Sequence, residues 1–288
     1  MTESNKSPLN TIVICFCICF LALLSYLYKT DYTVEDTFEN EVINDEVCTN
    51  PSYAIIEIVA GIDDTRKYAD EQTLTFANET IEQLEYADAD ESIKAIILYI
   101  ESNGGTVASS IEIAKAVKRV KKPIFAVIKN IGFSGAYVIA SATDRIYASE
   151  YSEVGNIGVI QVFTDYSEMD KNDGIKHELI TSGKFKGSGQ GYSPLTEEEK
   201  IIYQAQVNIL NEQLVSFISD NLKVNKEELS KIADGRTFLG NLALEYGLVH
   251  KIGDMHDAII DLSSKLNLDP DYFYDCNLTT IWDNAYAE

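Results

Sequence analysis

The feature that most constrains the fold is a series of short, almost uninterrupted apolar runs, each followed by a stretch with helical spacing. Residues 54–60 read AIIEIVA, residues 93–101 IKAIILYIE and residues 124–128 IFAVI. Strands of this kind present apolar side chains to both sides and need cover on both. Between and after them, residues 74–87, 111–120 and 136–143 read as helices. Lys118, Arg119, Lys121 and Lys122 gather at the end of the second helix, where cations complement the helix dipole, and Pro123 stops it. Alternation of this kind predicts an α/β domain on a parallel sheet covered on both faces. Further strands are predicted at 145–148, 157–163 and 176–180. A long amphipathic helix is predicted at 196–222, opened by Thr196 and Glu199 in capping-box spacing.

The chain has 288 residues, 45% of them hydrophobic, enough for one sizeable core without disulfide or metal support. Its formal net charge of −23 argues against a nucleic-acid partner, because phosphate neutralisation needs clustered Lys and Arg. The same charge is repelled by anionic lipid heads, so a membrane link must be apolar. Residues 11–28 (TIVICFCICFLALLSYLY) are uncharged and about as long as one membrane-spanning helix requires. No Ala-x-Ala cleavage site follows, so an uncleaved anchor is expected rather than a cleaved signal peptide. Lys6 and Lys29 flank the run and do not decide its orientation, whereas the short N-terminal tail favours placing the domain outside. The expected organisation is an N-terminal tail and anchor (1–30), an acidic tether (31–50), the α/β domain (51–265) and an acidic, aromatic tail (266–288). Cys15, Cys17 and Cys19 lie in the apolar run, and sequence alone does not pair Cys48 with Cys276. No Cys-x-x-Cys or His-Glu-x-x-His pattern occurs, and neither a metal nor a cofactor is expected.

The chemistry-bearing residues sit where strands give way to glycine turns. Gly132-Phe133-Ser134-Gly135-Ala136 follows one strand and opens a helix, placing the Ser134 hydroxyl near a helix N-terminus that favours a negatively charged oxygen. The competing reading is a serine that merely caps a helix. A nucleophilic serine needs a base. His177, His250 and His256 lie outside glycine-flanked turns, and Ala136 breaks the Gly-x-Ser-x-Gly elbow, so a Ser-His-Asp triad is weakly supported. A lysine in a dry site is the other candidate base, since desolvation disfavours the ammonium form. Thr181-Ser182-Gly183-Lys184-Phe185-Lys186-Gly187 supplies two, although lysines in such loops are commonly solvated. Gly104 and Gly105 could present backbone amides to a developing oxyanion, or simply make a turn. Gly155-Asn156-Ile157-Gly158 is a further glycine loop, without the Gly-Lys-Ser/Thr of a phosphate loop.

In order along the chain, these pieces resemble signal peptide peptidase A, a membrane serine protease family with a Ser–Lys dyad and a ClpP/crotonase-like fold. Glu101-Ser-Asn-Gly-Gly105 resembles the family's Asp-Ser-Pro-Gly-Gly. Gly132-Phe-Ser-Gly-Ala-Tyr137 resembles its nucleophile turn, and Val154-Gly-Asn-Ile-Gly-Val159 its Thr-Gly-Ser-Ile-Gly-Val. Ser182-Gly-Lys-Phe-Lys186 resembles its lysine loop. Ala233-Asp-Gly-Arg-Thr-Phe238 and Ala243-Leu-Glu-Tyr-Gly-Leu-Val249 resemble its C-terminal signature. The resemblance implies Ser134 as nucleophile, Lys186 rather than Lys184 as base, and oxyanion amides at Gly104, Gly105 and Gly135. It implies remnant signal peptides and other small apolar peptides as substrates. It also implies a ring-like homo-oligomer in which Ser and Lys come from one protomer or from neighbours. The bacterial inner membrane is the implied site, with the catalytic domain on its extracytoplasmic side. Three positions depart from the pattern: Asn103 for Pro, Ala136 for Gly, and Asn156 for the serine that holds the lysine. An amide oxygen at Asn156 can still orient Lys186, but accepting from it favours the charged amine. Two alternatives stay open: a crotonase-like enzyme acting on acyl thioesters, and an inactive membrane-tethered assembly module.

Overall fold

The computed structural model describes residues 52–63 and 74–277, with backbone alone at 272, 274, 276 and 277. The predicted span at 11–28, the tether and the side chains of Cys48 and Cys276 lie outside the described residues. Among those described, no helix is long and apolar enough to cross a membrane.

The centre is a parallel sheet in the order β2-β1-β3-β4-β5-β8. Its strands are β1 (Ser52–Ile62), β2 (Leu74–Thr75), β3 (Ile93–Gly105), β4 (Ile124–Phe133), β5 (Arg145–Ala148) and β8 (Lys251–Ile252). Two short strands extend it near the carboxyl end of β4: β6 (Glu153–Gly155) pairs parallel with β4, and β7 (Thr237–Leu239) runs antiparallel to β6. Helix α1 (Ala77–Ala89) leads into β3, α2 (Val107–Arg119) into β4 and α3 (Gly135–Ser141) into β5. This is the predicted α/β architecture of a ClpP/crotonase-like domain.

The uninterrupted apolar runs are explained by two cores, one on each face. Ala54, Ile56, Ile58, Ile96, Leu98, Ile100, Ala126 and Ile128 pack in one cluster with side chains of α1, α2 and α3. Their neighbours in sequence, Tyr53, Ala95, Ile97, Phe125 and Val127, pack in a second cluster with Ala258 and Leu262 of α8 (Met255–Leu266). Successive strand side chains point to opposite faces, so an apolar residue at every position is what a doubly covered sheet demands. Burying each such side chain contributes about 1.5–3 kcal/mol.

The second half adds α4 (Ser167–Asn172), α5 (Glu197–Leu222), α6 (Lys226–Ile232) and α7 (Gly240–Glu245). The predicted capping box of α5 is present, with Thr196 accepting from the Glu199 N–H and the Glu199 carboxylate accepting from the Thr196 N–H. Two predicted strands are absent: residues 157–163 and 176–180 are irregular. Ile160, Val162 and Ile180 are 83%, 75% and 94% exposed, so within this chain no strand or core receives them. At the other end, β9 (Tyr274–Asn277) pairs parallel with β1, carrying the sheet past residue 266, where a tail was expected to begin.

Candidate active site

The carboxyl ends of β3, β4 and β6 converge, which is where open parallel sheets place ligands. Ser134 follows β4 directly and opens α3 with φ 51° and ψ −120°, a conformation a non-glycine residue rarely adopts. Its N–H donates to the Gly155 carbonyl (2.8 Å), tying the turn to β6, and its own carbonyl accepts from Val138 N–H (3.0 Å). The hydroxyl caps nothing, which sets aside the reading of Ser134 as an ordinary helix cap. Helix α3 is buried along its whole length and pinned by the Tyr137 hydroxyl, which donates to the Leu248 carbonyl (2.6 Å). The Ser134 turn therefore stands on a fixed base.

The glycines explain themselves by contact. A Cβ on Gly104, which has φ +86°, would stand 2.6 Å from Gly135 N and 2.9 Å from Ser134 Cβ. A Cβ on Gly135 would stand 2.1 Å from Ser110 Oγ and 3.2 Å from Gly105 N. The two turns are thus seated backbone against backbone, with Gly104 against the Ser134 side chain and the Gly105 amide nitrogen close to Gly135. Gly104 corrects the expectation of three oxyanion amides: its N–H donates to Ser102 Oγ (3.0 Å), whose hydroxyl donates in turn to the Ala60 carbonyl. Its N–H is therefore occupied, and close backbone contact accounts for the glycine at this position.

Ser134 opens onto a cleft of about 410 Å³. One wall comes from Asn156, Gly158, Val159 and Ile160, the second from Val207, Asn208 and Asn211 on α5, and the third from Ala233, Asp234 and Gly235. Sequence reasoning missed the α5 residues, whose only signal is two amides at helical spacing within an otherwise unremarked face. The 233–235 wall lies in the Ala233–Phe238 signature but had no role assigned to it. Arg236 clamps Asp234 and holds its carboxyl below the usual carboxylate range. Asn156, at φ 49°, is spent on the same turn: its N–H donates to the Arg236 carbonyl (2.9 Å) and its Nδ2 to the Gly235 carbonyl (2.6 Å). It shapes the cleft, and only its amide oxygen is left to receive a donor.

Among the described residues, no lysine or histidine lines this cleft. Lys186 is exposed, on a turn closed by its own N–H to the Gly183 carbonyl (3.0 Å), and no hydrogen bond joins it to Ser134 or Asn156. The structure brings together Ser134, Gly105, Gly135 and Asn156, and leaves Lys186 apart from them within one chain. It does separate the two lysines of that loop. Lys184 is paired with the Glu198 carboxylate, whereas no ion pair engages Lys186 among the described residues. Two of the three histidines are occupied elsewhere: His177 with Asp170, and His250 accepting at Nδ1 from the Ile146 N–H (3.1 Å).

Comparison with known proteins agrees with this geometry. The profile of peptidase family S49 matches residues 116–269, and that of Clp protease matches residues 55–154. A Synechocystis protein provisionally named a protease is 32% identical over 77% of this chain and 77% of its own length. A Methanocaldococcus jannaschii protein, also provisionally named a protease, is 32% identical over 65% of this chain and 61% of its own. An Enterococcus faecium protein provisionally named signal peptide peptidase SppA is 28% identical over 84% of this chain and 70% of its own. The chain therefore spans between three fifths and four fifths of these relatives' lengths. With the S49 profile matched over more than half its length, the chain belongs to peptidase family S49.

Proposed function

We propose that this protein is a membrane-anchored serine endopeptidase that cleaves small apolar peptides, remnant signal peptides among them, with Ser134 as nucleophile and Lys186 as base. The observation that carries the reading is Ser134 itself. It is a buried-turn serine held at positive φ, with a hydroxyl that caps nothing, its side chain against Gly104 and facing an open cleft. Strain of this kind is maintained only where the surroundings over-determine it, and it gathers at active sites.

In the reaction, Ser134 Oγ attacks the scissile carbonyl carbon while its proton passes to neutral Lys186 Nζ. The Gly105 and Gly135 amides hold the oxyanion, each worth about 10²–10³ in rate. The C–N bond breaks as the lysine returns the proton to the leaving amine. Water then attacks the ester, the lysine taking and passing on its proton, and the carboxylic acid leaves with Ser134 restored. Val159, Ile160 and Val207 in the cleft suit an apolar substrate side chain.

Because the cleft has no base from its own chain, the dyad is completed by Lys186 of a neighbouring copy in a ring-like assembly. Exposed apolar residues of the segment that carries it, Val162, Leu179, Ile180 and Phe185, are the surface such a neighbour covers. Covering them also dries the lysine, which favours the neutral amine. The anchor is residues 11–28, and the catalytic domain stands on the extracytoplasmic side of a bacterial inner membrane. The test is hydrolysis of an apolar peptide ester by the assembled protein. Ser134→Ala and Lys186→Ala are each expected to lose activity by about 10²–10⁴-fold, and Lys184→Ala to keep it. Full activity in Lys186→Ala would remove the base assignment.

A further inference from the structure

The segment between β6 and α5 that carries Lys186 has an unusual construction. From residue 158 to residue 190 no residue is buried, so no hydrophobic core holds its shape. Phe163 against Tyr203 and Lys184 paired with Glu198 tie it to α5, and between those ties a small polar and aromatic cluster holds it. His177 Nε2 donates to the Asp170 carboxylate of α4 (2.9 Å), with the two side chains only 34% and 15% exposed. The imidazole ring stacks on Tyr192, centroids 4.2 Å apart and planes at 24°. Backbone bonds close the cluster on itself, Ile175 N–H to the Asp170 carbonyl (2.8 Å) and Tyr166 N–H to the Gly191 carbonyl (2.9 Å).

This cluster reaches Lys186 through one neighbour. Gly187, the next residue in the chain, lines the same 260 Å³ cavity as Asp170, His177, Leu179 and Tyr192. A Cβ on Gly187 would stand 2.2 Å from Leu179 Cδ2, so the lysine-bearing turn rests directly on the side chain two residues beyond His177. We infer that His177, held between Asp170 and Tyr192, is the positioning residue for Lys186: it fixes the Leu179 side of the lysine turn, the side on which Gly187 rests, while the Lys184–Glu198 pair ties the other side to α5. The inference rests on Lys186 being the base. It gives His177 no contact with substrate. A base must be placed to within a fraction of an ångström, and a displacement of about 1 Å can cost on the order of 10²-fold in rate.

The test uses the full chain in its assembled state and a blocked apolar peptide ester. His177→Ala is expected to lower kcat by at least about 10-fold with KM within about twofold, since it moves the base and leaves the Ser134 cleft intact. His177→Gln is expected to stay within about threefold of wild type, because a planar amide can still donate to Asp170 and lie on Tyr192. The double variant His177→Ala/Lys186→Ala is expected to be no slower than Lys186→Ala alone, because the two residues act as one unit. Wild-type kcat in His177→Ala, or a further drop on the Lys186→Ala background, would overturn the inference. Should His177→Ala fail to assemble, Tyr192→Leu removes only the stack. It carries the same expectation of a lowered kcat at constant KM, and an unchanged kcat there would equally overturn it. If Lys186→Ala itself is active, the base assignment has failed, and that result is distinct from either outcome for His177.

Discussion

At the scale of single residues, the sharpest contrast is between a serine that caps and a serine that reacts. An N-cap serine replaced by alanine costs about 0.5–2 kcal/mol. Ser134 makes no side-chain cap bond, so Ser134→Ala should change unfolding stability by less than about 0.5 kcal/mol while activity is lost. Thr196→Ala, which breaks a complete capping box, should cost about 1 kcal/mol by the same denaturation measurement. A loss of 1 kcal/mol or more in Ser134→Ala would mean that its hydroxyl is structural. Gly135 gives a second prediction. An added methyl meets Ser110 Oγ at 2.1 Å and Ser110 Cβ at 2.9 Å, so Gly135→Ala should lower kcat by about 10²-fold or more. Removing that side chain in Ser110→Gly/Gly135→Ala should recover part of the loss, at about 1 kcal/mol of helix stability. No recovery would mean that the methyl acts on something other than Ser110.

His250 ties a residue to pH. Burial, aided by the Arg145 charge, holds its ring below the ordinary histidine value. The unfolded chain takes up that proton near pH 6.5, while the folded ring, whose Nδ1 accepts from Ile146 N–H, does so only at lower pH. Between those two values the unfolded state binds more protons, so stability falls as pH drops below about 6.5. His250→Gln should flatten the change in melting temperature between pH 7 and pH 5, and an unaltered slope would contradict the assignment.

At the scale of elements, the sequence was most legible where both faces of a strand are buried. The runs at 54–60, 93–101 and 124–128 became β1, β3 and β4 because an apolar residue at every position leaves a doubly covered sheet as the fitting environment. The same signal misled at 157–163 and 176–180. An apolar, β-branched run states that something must cover it, not that the cover comes from its own chain, and Ile160 and Ile180 stand 83% and 94% exposed. The strand at the C-terminus was missed for the opposite reason: its residues Tyr-Asp-Cys-Asn carry little apolar signal, and pairing to the edge of β1 decides its state. The site divides in the same way. The Ser134 turn and the glycines around it are local and could be read from spacing. That Asn156 is spent on Gly235, 79 residues away, depends on the pairing of β6 with β7 and leaves no mark in the local sequence, and that Ser102 claims the Gly104 amide, although only two residues apart, depends on how the β3 turn closes.

At the scale of the whole molecule, the proposed reading has one chain supply the nucleophile, the oxyanion amides and the cleft, and carry Lys186, without an ion pair among the described residues, on a segment faced with exposed apolar residues. A site divided in this way makes catalysis a property of the assembly. The measurement that tests this most directly mixes two inactive proteins. Ser134→Ala and Lys186→Ala subunits, each silent on an apolar peptide ester when assembled alone, are dissociated and reassembled together in equal amounts. Serine from one variant then meets lysine from the other at about one interface in four of a randomly filled ring, and that fraction of wild-type activity should return. A mixture that reassembles and stays silent would contradict the account, as would either variant remaining active by itself.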